Sequence, residues 1–232
     1  ERCRSAAAAM RDDVMQRYWD DATRRFVDEP VQGEASGGTS WHVNAWALLS
    51  GVSDPERGRK LLAELRQHET ARYPVSSYQK FYVLQAMMEA GWITEALADM
   101  REYWGAMLAA GAMTCWEKLD LRHGDDPGQD YPTSQCHSWG AGPCHLLPTY
   151  VLGARPTAPG WPRVRIAPDL ADLDWAEGIV PTPRGPVTVR WERAGERING
   201  AIDLPRGMTG EAILPGHDGP PVALQPGLNR VE

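Results

Sequence analysis

The chain has 232 residues, and its 42% hydrophobic and 24% charged residues are ordinary for a globular protein of one large or two small domains. Its net charge of −7 argues against nucleic acid or an anionic membrane as a partner, because both require a basic surface. No apolar run approaches the roughly 18 residues that a membrane span needs. The chain does not open with a signal-peptide pattern, and its composition does not distinguish a cytoplasmic protein from a secreted one.

The first two-thirds of the chain has helical periodicity with start and stop signals. Ser5 is the expected cap of a first helix, in which apolar residues recur every four positions from Met10 to Ala22. Further helices are predicted over Trp41–Leu49, from the cap Asp54 to Leu65, over Tyr78–Ala90, from the cap Thr94 to Leu108, and over Trp139–Leu152. Short turns join them, which predicts antiparallel helical hairpins stacked as a solenoid or an α/α toroid.

After Gly153 the pattern changes to Pro- and Gly-rich turns between short runs of alternating polarity. Such runs are typical of the strands of a small antiparallel β-sandwich. The predicted strands are Arg163–Ile166, Val187–Trp191, Gly200–Leu204 and Ala212–Leu214. We therefore expect two domains, a helical one over residues 1–156 and a β-sandwich over residues 157–232.

Tryptophan is unusually abundant, with 10 Trp against 2 Phe. Its flat ring and N–H suit carbohydrate binding, although core packing accounts for most tryptophans in any protein. The four cysteines are Cys3, Cys115, Cys136 and Cys144, and the Cys-His pairs at 136–137 and 144–145 raise the question of zinc. Their separation does not match the close pairs of structural zinc sites, so buried free thiols are expected and no metal or other cofactor is predicted.

The segment from Met113 to Gln135 is longer than most connections and holds the richest polar cluster. Its chemistry-bearing residues, with those that follow, are Trp116, Glu117, Asp120, His123, Asp125, Asp126, His137 and Trp139. A carboxylate that takes a proton from water, a histidine that binds a hydroxyl and an indole wall would suit a sugar-cleaving site. Spacing alone favours this weakly, since a loop glutamate is usually solvated or caps a helix.

The stretch over residues 113–142, MTCWEKLD…YPTSQCHSWGAG, resembles the active-site segment of glycoside hydrolase family 78, the bacterial α-L-rhamnosidases. Upstream, WHVNAWALLSG and SYQKFYVLQAMMEAGWITEALADMREYWGAML resemble the family's paired barrel helices. Downstream, the run from YVLGARP to PVTVRW resembles the passage into its β-sandwich. The resemblance implies the C-terminal half of an (α/α)₆ barrel, inverting hydrolysis of terminal α-L-rhamnose, and a C-terminal β-sandwich.

Carried over by position, Glu117 matches the family's general base and His137 matches a histidine that contacts the sugar. Trp139 and Trp116 match tryptophans near the pocket and are expected to form its walls. Asn44 is either a sugar contact or a polar structural residue, and Tyr78 either lines the pocket or packs in the core.

The sequence departs from the family pattern in two respects. Family members commonly have Cys-His-Gly-Trp-Ser where this chain has CHSWG at 136–140, which we interpret as a change in sugar fit. The general acid of the family lies upstream in an acidic segment, and nothing in residues 1–112 resembles that segment. The predicted helices are also about half as many as a closed (α/α)₆ ring contains.

The expected partners are therefore a rhamnose-containing glycoside or polysaccharide and the remainder of a parent chain or another copy. We expect the isolated chain to be inactive unless Asp120 or Asp126 supplies the acid. Other hypotheses are a toroid glycosidase of different specificity, such as a fucosidase or an unsaturated-uronide hydrolase, and a non-catalytic carbohydrate-binding module.

Overall fold

The computed structural model describes residues 1–30, 38–66, 76–119, 134–217 and 219–232. They form two compact units, Glu1–Gly142 and Pro143–Glu232. Within the described ranges, no helix combines the length and hydropathy needed to cross a bilayer.

The first unit opens with helix α1, Arg2–Tyr18, and a hairpin of two short strands, β1 (Trp19–Asp20) and β2 (Arg25–Phe26). The prediction that Ser5 caps α1 is wrong, because the helix begins three positions earlier and the Ser5 hydroxyl donates back to the Glu1 carbonyl. Met10 is 69% exposed. Residues 1–13 are all exposed, so this part of α1 has no packed face for the four-residue recurrence to mark.

Four helices follow in the same unit: α2 (Trp41–Leu49), α3 (Pro55–Arg66), α4 (Ser77–Glu89) and α5 (Ile93–Ala109). Asp54 caps α3 as predicted, since its Oδ1 accepts a hydrogen bond from the Arg57 amide at 2.9 Å. Thr94 does not cap α5, because the helix begins one residue before it and no side chain caps that end. Gly51, Gly91 and Gly111 follow the ends of α2, α4 and α5, and all three have the positive φ that favours glycine after a helix.

Among these helices, α2 packs against both α3 and α4, and α4 packs against α5. An ion pair lies in the core between α4 and α5: Lys80 Nζ is 2.7 Å from Asp99 Oδ1, and the two side chains are 2% and 15% exposed. The Lys80 ammonium also lies 5.0 Å from the ring centre of Tyr103. The described helices thus agree with the predicted helical part, and the (α/α)₆ ring stays a prediction.

The helix predicted over Trp139–Leu152 is divided into three short pieces. They are a 3₁₀ turn at Ser138–Ala141, the helix α6 at Pro143–Leu146 and a π-helical turn at Leu147–Val151. Pro148 explains the last change, because proline cannot donate the backbone hydrogen bond of a regular α-helix. The latter two pieces belong to the second compact unit, and the domain division between residues 156 and 157 stays a proposal.

The second unit contains two four-stranded sheets. The strands of the first sheet are, in spatial order, β10 (Gly227–Val231), β7 (Arg197–Leu204), β6 (Val187–Ala194) and β5 (Trp175–Val180). Those of the second sheet are β3 (Ala154–Pro156), β4 (Arg163–Ile166), β8 (Thr209–Ala212) and β9 (Val222–Leu224). The prediction of purely antiparallel pairing is wrong, because β4 and β8 pair in parallel. Alternating polarity identifies a strand with one buried face but does not give the direction of its partner.

Each sheet buries one face. Along β6, Val187, Val189 and Trp191 are buried while the residues between them are exposed. Trp191 is fully buried, and its indole N–H donates to the Leu152 carbonyl at 3.1 Å. Gly200 lies opposite Trp191 in the ladder, and a Cβ there would lie 2.1 Å from the indole ring. The tryptophan therefore requires glycine on the neighbouring strand.

Candidate active site

The segment that carries Glu117 is anchored to the first turn of α4. The Ser77 amide donates to the Glu117 carbonyl at 3.0 Å, and the Ser77 hydroxyl lies 2.9 Å from the carbonyls of Trp116 and Glu117. Ser77 is fully buried. The backbone at Glu117 is therefore held by a helix end, which is more rigid than a free loop.

Residues 134–137 run beside the first segment. The Glu117 amide donates to the Ser134 carbonyl at 2.9 Å, and the His137 amide donates to the Cys115 carbonyl at 2.8 Å. The Thr114 hydroxyl adds a hydrogen bond to the Gln135 carbonyl. Two stretches that are about twenty residues apart in sequence are thereby adjacent in space.

This backbone pairing brings the side chains of Glu117 and His137 together. Glu117 Oε2 lies 3.9 Å from His137 Nδ1, and the two side chains are 33% and 27% exposed. The same Oε2 accepts a hydrogen bond from the Ser134 amide at 3.1 Å. The carboxylate is thus oriented by one backbone donor and still accessible to solvent, as a group that must hold a water requires.

Two further predicted residues lie beside the histidine. The Trp139 ring is 4.0 Å from the His137 ring, centre to centre, and the Tyr78 ring is 5.1 Å from the Trp139 ring. Trp139 and Tyr78 are each 42% exposed. Both rings are therefore available to a ligand, and Tyr78 is not packed in the core.

Two other predicted residues have different surroundings. Trp116 is only 7% exposed and packs in a core cluster with Tyr103 and Met107, and its role as a pocket wall stays a prediction. Asn44 is fully buried, and its amide donates to the carbonyls of Phe26 and Ser40. The polar structural role that the sequence left open for Asn44 accounts for these contacts.

The turn that follows His137 is closely packed on the Glu117 segment. Gly140 is buried, and a Cβ there would lie 2.6 Å from Cys115 Cβ and 2.9 Å from the Trp116 carbonyl oxygen. The Trp104 indole donates to the Gly140 carbonyl at 2.8 Å. Ser138 is exposed. Packing therefore gives a physical reason why the glycine of the CHSWG motif is its last residue.

Sequence reasoning missed several residues that shape the site. Trp46 and Tyr82 extend the exposed rings beyond Tyr78, with centre distances of 4.2 Å between Trp46 and Tyr82 and 5.2 Å between Tyr82 and Tyr78. A hydrogen bond with the Tyr78 hydroxyl raises the pKa of Tyr82, and burial adds to this effect. The spacing of Tyr78 and Tyr82, four residues apart on one helix face, was the available signal.

A core tyrosine, Tyr103, contacts the segment that carries Glu117. Tyr103 is 1% exposed, its ring packs in the cluster of Trp116, and its hydroxyl accepts a hydrogen bond from the Leu119 amide at 3.1 Å. Helix α5 thus holds the residues on both sides of Glu117.

Among the described residues, no group of three or more His, Cys, Asp or Glu side chains is placed to hold a metal ion. Cys3, Cys115, Cys136 and Cys144 are free, but the prediction that they are buried is wrong, since Cys115 is half-buried and the others are exposed. The predicted candidates Asp120, His123, Asp125 and Asp126 lie outside the described residues.

Comparison with known proteins gives a consistent family. Residues 153–226 match the model of the bacterial α-L-rhamnosidase C-terminal domain. An α-L-rhamnosidase of Alteromonas sp. (strain LOR) is 28% identical over 118 residues, which are 49% of this chain and 13% of that protein.

Solved structures agree with this match. The family 78 rhamnosidase of Bacillus sp. GL1 is 31% identical, with a TM-score of 0.73. The matched region covers 88% of this chain and 23% of the Bacillus chain. The α-L-rhamnosidase of Streptomyces avermitilis, solved in complex with L-rhamnose, shares the fold at 17% identity and a TM-score of 0.73. The matched region covers 95% of this chain and 23% of the Streptomyces chain. The chain thus spans less than a quarter of the length of these relatives. Residues 153–226 thus match the C-terminal domain of the bacterial α-L-rhamnosidases, and the chain as a whole is similar to part of the solved family 78 rhamnosidases.

Proposed function

We propose that this chain forms part of an inverting glycoside hydrolase that removes terminal α-L-rhamnose, with Glu117 as the general base. The observation that carries the proposal is the approach of Glu117 Oε2 to His137 Nδ1, 3.9 Å apart at the surface. Two residues that match the family's base and sugar-contacting histidine are thereby side by side, and both are partly exposed.

In this mechanism Glu117 accepts a proton from a water that attacks the anomeric carbon. The Ser134 amide, 3.1 Å from Oε2, fixes one oxygen of the carboxylate and leaves the other available to the water. His137 binds a sugar hydroxyl, and the exposed ring of Trp139 covers the apolar face of the sugar. The water attacks from one side of the sugar and the leaving group departs from the other.

The general acid comes from elsewhere in this proposal. An inverting enzyme separates its two carboxyl groups by about 6.5–9.5 Å. Because the family relatives are several times longer than this chain, we propose that a longer polypeptide containing it, or another copy, supplies the acid. The half (α/α)₆ barrel over residues 1–156 and the sandwich over residues 157–232 belong to the same proposal.

The stereochemistry of the released sugar tests the proposal. The full-length protein is mixed with an aryl α-L-rhamnoside, and proton NMR identifies the first anomer that appears. We expect β-L-rhamnose, which then equilibrates with the α form, while aryl α-L-fucosides and unsaturated uronides are not cleaved. First release of α-L-rhamnose contradicts the mechanism, and sugar binding without turnover selects a non-catalytic binding module instead.

A further inference from the structure

We propose that Tyr103, a core residue of α5, is a positioning residue that fixes where the Glu117 carboxylate lies. The inference rests on the proposed function, because it takes Glu117 as the group that accepts a proton from water. Tyr103 is only 1% exposed, so it acts through the backbone that carries Glu117 and not on the substrate.

Tyr103 contacts residues on both sides of Glu117. Its ring packs in one buried cluster with Trp116, the residue before Glu117. Its hydroxyl accepts a hydrogen bond at 3.1 Å from the amide of Leu119, two residues after Glu117. The Leu119 side chain packs against the same cluster. One side chain of α5 therefore holds the backbone before and after the candidate base.

The Tyr103 ring is itself held in place. Lys80 Nζ lies 5.0 Å from the centre of the ring, where an ammonium is attracted to the electrons of an aromatic face. The ammonium is fixed in turn, since it is buried and lies 2.7 Å from Asp99 Oδ1. Asp99 is four residues before Tyr103 on the same helix. The tyrosine is thus a rigid contact between the helix core and the Glu117 segment.

Ser77 and Ser134 hold Glu117 itself. The Ser77 amide lies 3.0 Å and its hydroxyl 2.9 Å from the Glu117 carbonyl, and the Ser134 amide donates to the carboxylate at 3.1 Å. These contacts orient the carboxylate correctly only while the segment stays in register with both serines. Loss of the Tyr103 hydroxyl leaves the Leu119 amide without this acceptor and lets the segment shift. A shift of about 1 Å in a catalytic group can lower a rate about 10²-fold.

Tyr103→Phe in the full-length protein tests the inference, because it removes the hydroxyl and keeps the ring. We expect kcat on an aryl α-L-rhamnoside to fall about tenfold, as a displacement of a few tenths of an ångström implies. KM should change less than about twofold, since His137 and Trp139 still bind the sugar. A kcat equal to that of the wild type would overturn the inference.

A double-mutant cycle separates positioning from general support of the fold. In a Glu117→Gln background, Tyr103→Phe should lower kcat by less than about twofold, because the group that it positions is already gone. A loss of about tenfold in both backgrounds would overturn the inference, since Tyr103 would then act on something other than Glu117.

Ile93→Val is the control for loss of packing in the same helix. Ile93 is 6% exposed and lies ten residues before Tyr103, about 15 Å along the helix axis. The variant should lower the midpoint of urea unfolding and leave kcat unchanged. A loss of kcat as large as that of Tyr103→Phe would show that any weakening of α5 slows the reaction, and the inference would fail.

The same measurements distinguish this inference from the proposed function. If Glu117→Gln keeps the kcat of the wild type, the proposed function fails, and the inference fails with it. If Glu117→Gln is slow and Tyr103→Phe is as fast as the wild type, only the inference fails. Hydrogen exchange of the wild-type protein is a further test that needs no variant. The Leu119 amide should be protected, and exchange at the rate of an unfolded chain would contradict its bond to Tyr103.

Discussion

Glu117 and Ser134 hydrogen-bond to each other twice, once through the backbone and once through the carboxylate. The Glu117 amide donates to the Ser134 carbonyl at 2.9 Å, and the Ser134 amide donates to Glu117 Oε2 at 3.1 Å. A single residue on the neighbouring segment therefore fixes both the backbone and the side chain of the candidate base.

Ser134→Pro should reduce turnover by the full-length protein about tenfold or more, because proline removes the amide that orients the carboxylate. Ser134→Ala is the matched control, since it keeps the amide and removes only the hydroxyl that bonds to Cys136. Initial rates on an aryl α-L-rhamnoside measure the difference. Equal rates for the two variants would show that the Ser134 amide does not position Glu117.

Gly140→Ala should destabilise the protein by about 1–3 kcal/mol, because the new methyl group meets Cys115 and the Trp116 carbonyl and the turn must move. Gly105→Ala, in the middle of α5 with nothing within 4 Å of the added Cβ, should instead stabilise it by about 0.5–1 kcal/mol. Urea unfolding of both variants provides the comparison. A Gly140→Ala protein as stable as the wild type would contradict the close packing of this turn.

Lys80→Met should cost about 3–5 kcal/mol of stability, because it takes away an ion-pair partner of Asp99 in the core between α4 and α5. Lys60→Met breaks an ion pair of similar length with Glu56 on the surface of α3. Its cost should be much smaller than that of Lys80→Met, since solvent screens exposed pairs. Thermal or urea unfolding measures both, and similar losses in the two variants would be inconsistent with the buried pair.

The pKa of Tyr82 should lie above the ordinary value of 10.0 in the folded protein, and Tyr78→Phe should lower it. A raised folded pKa means that the neutral phenol is favoured by folding. Its contribution to stability is therefore complete below about pH 10 and is lost as the pH rises through the folded pKa. NMR titration of the tyrosine ring carbons measures the shift, and an unchanged Tyr82 pKa in the variant would argue against the hydrogen bond.

The sequence predicted the elements of the fold where local signals determine them. Asp54 before Pro55 marks a helix start, and Gly91 marks a helix end, because each depends on neighbouring residues only. The hairpin of β1 and β2 was missed, since it is two residues wide and has no alternating pattern. The parallel pairing of β4 with β8 was also missed, because it depends on strands that are distant in the chain.

The site was predictable to the extent that motifs mark it. Glu117 and His137 were identified from the resemblance, and their side chains do lie together. The burial of Trp116 could not be predicted, because it depends on Tyr103, thirteen positions earlier on another element. Ser134 had no signal of its own, because it acts through its backbone amide.

The central claim is that Glu117 removes a proton from the attacking water, and kcat of the Glu117→Gln variant of the full-length protein measures it most directly. Glu102→Gln, on the exposed surface of α5, is the control. The account predicts that Glu117→Gln lowers kcat by about 10²–10⁴-fold on an aryl α-L-rhamnoside, with rhamnose affinity largely retained. A kcat equal to that of the wild type would remove Glu117 from the mechanism.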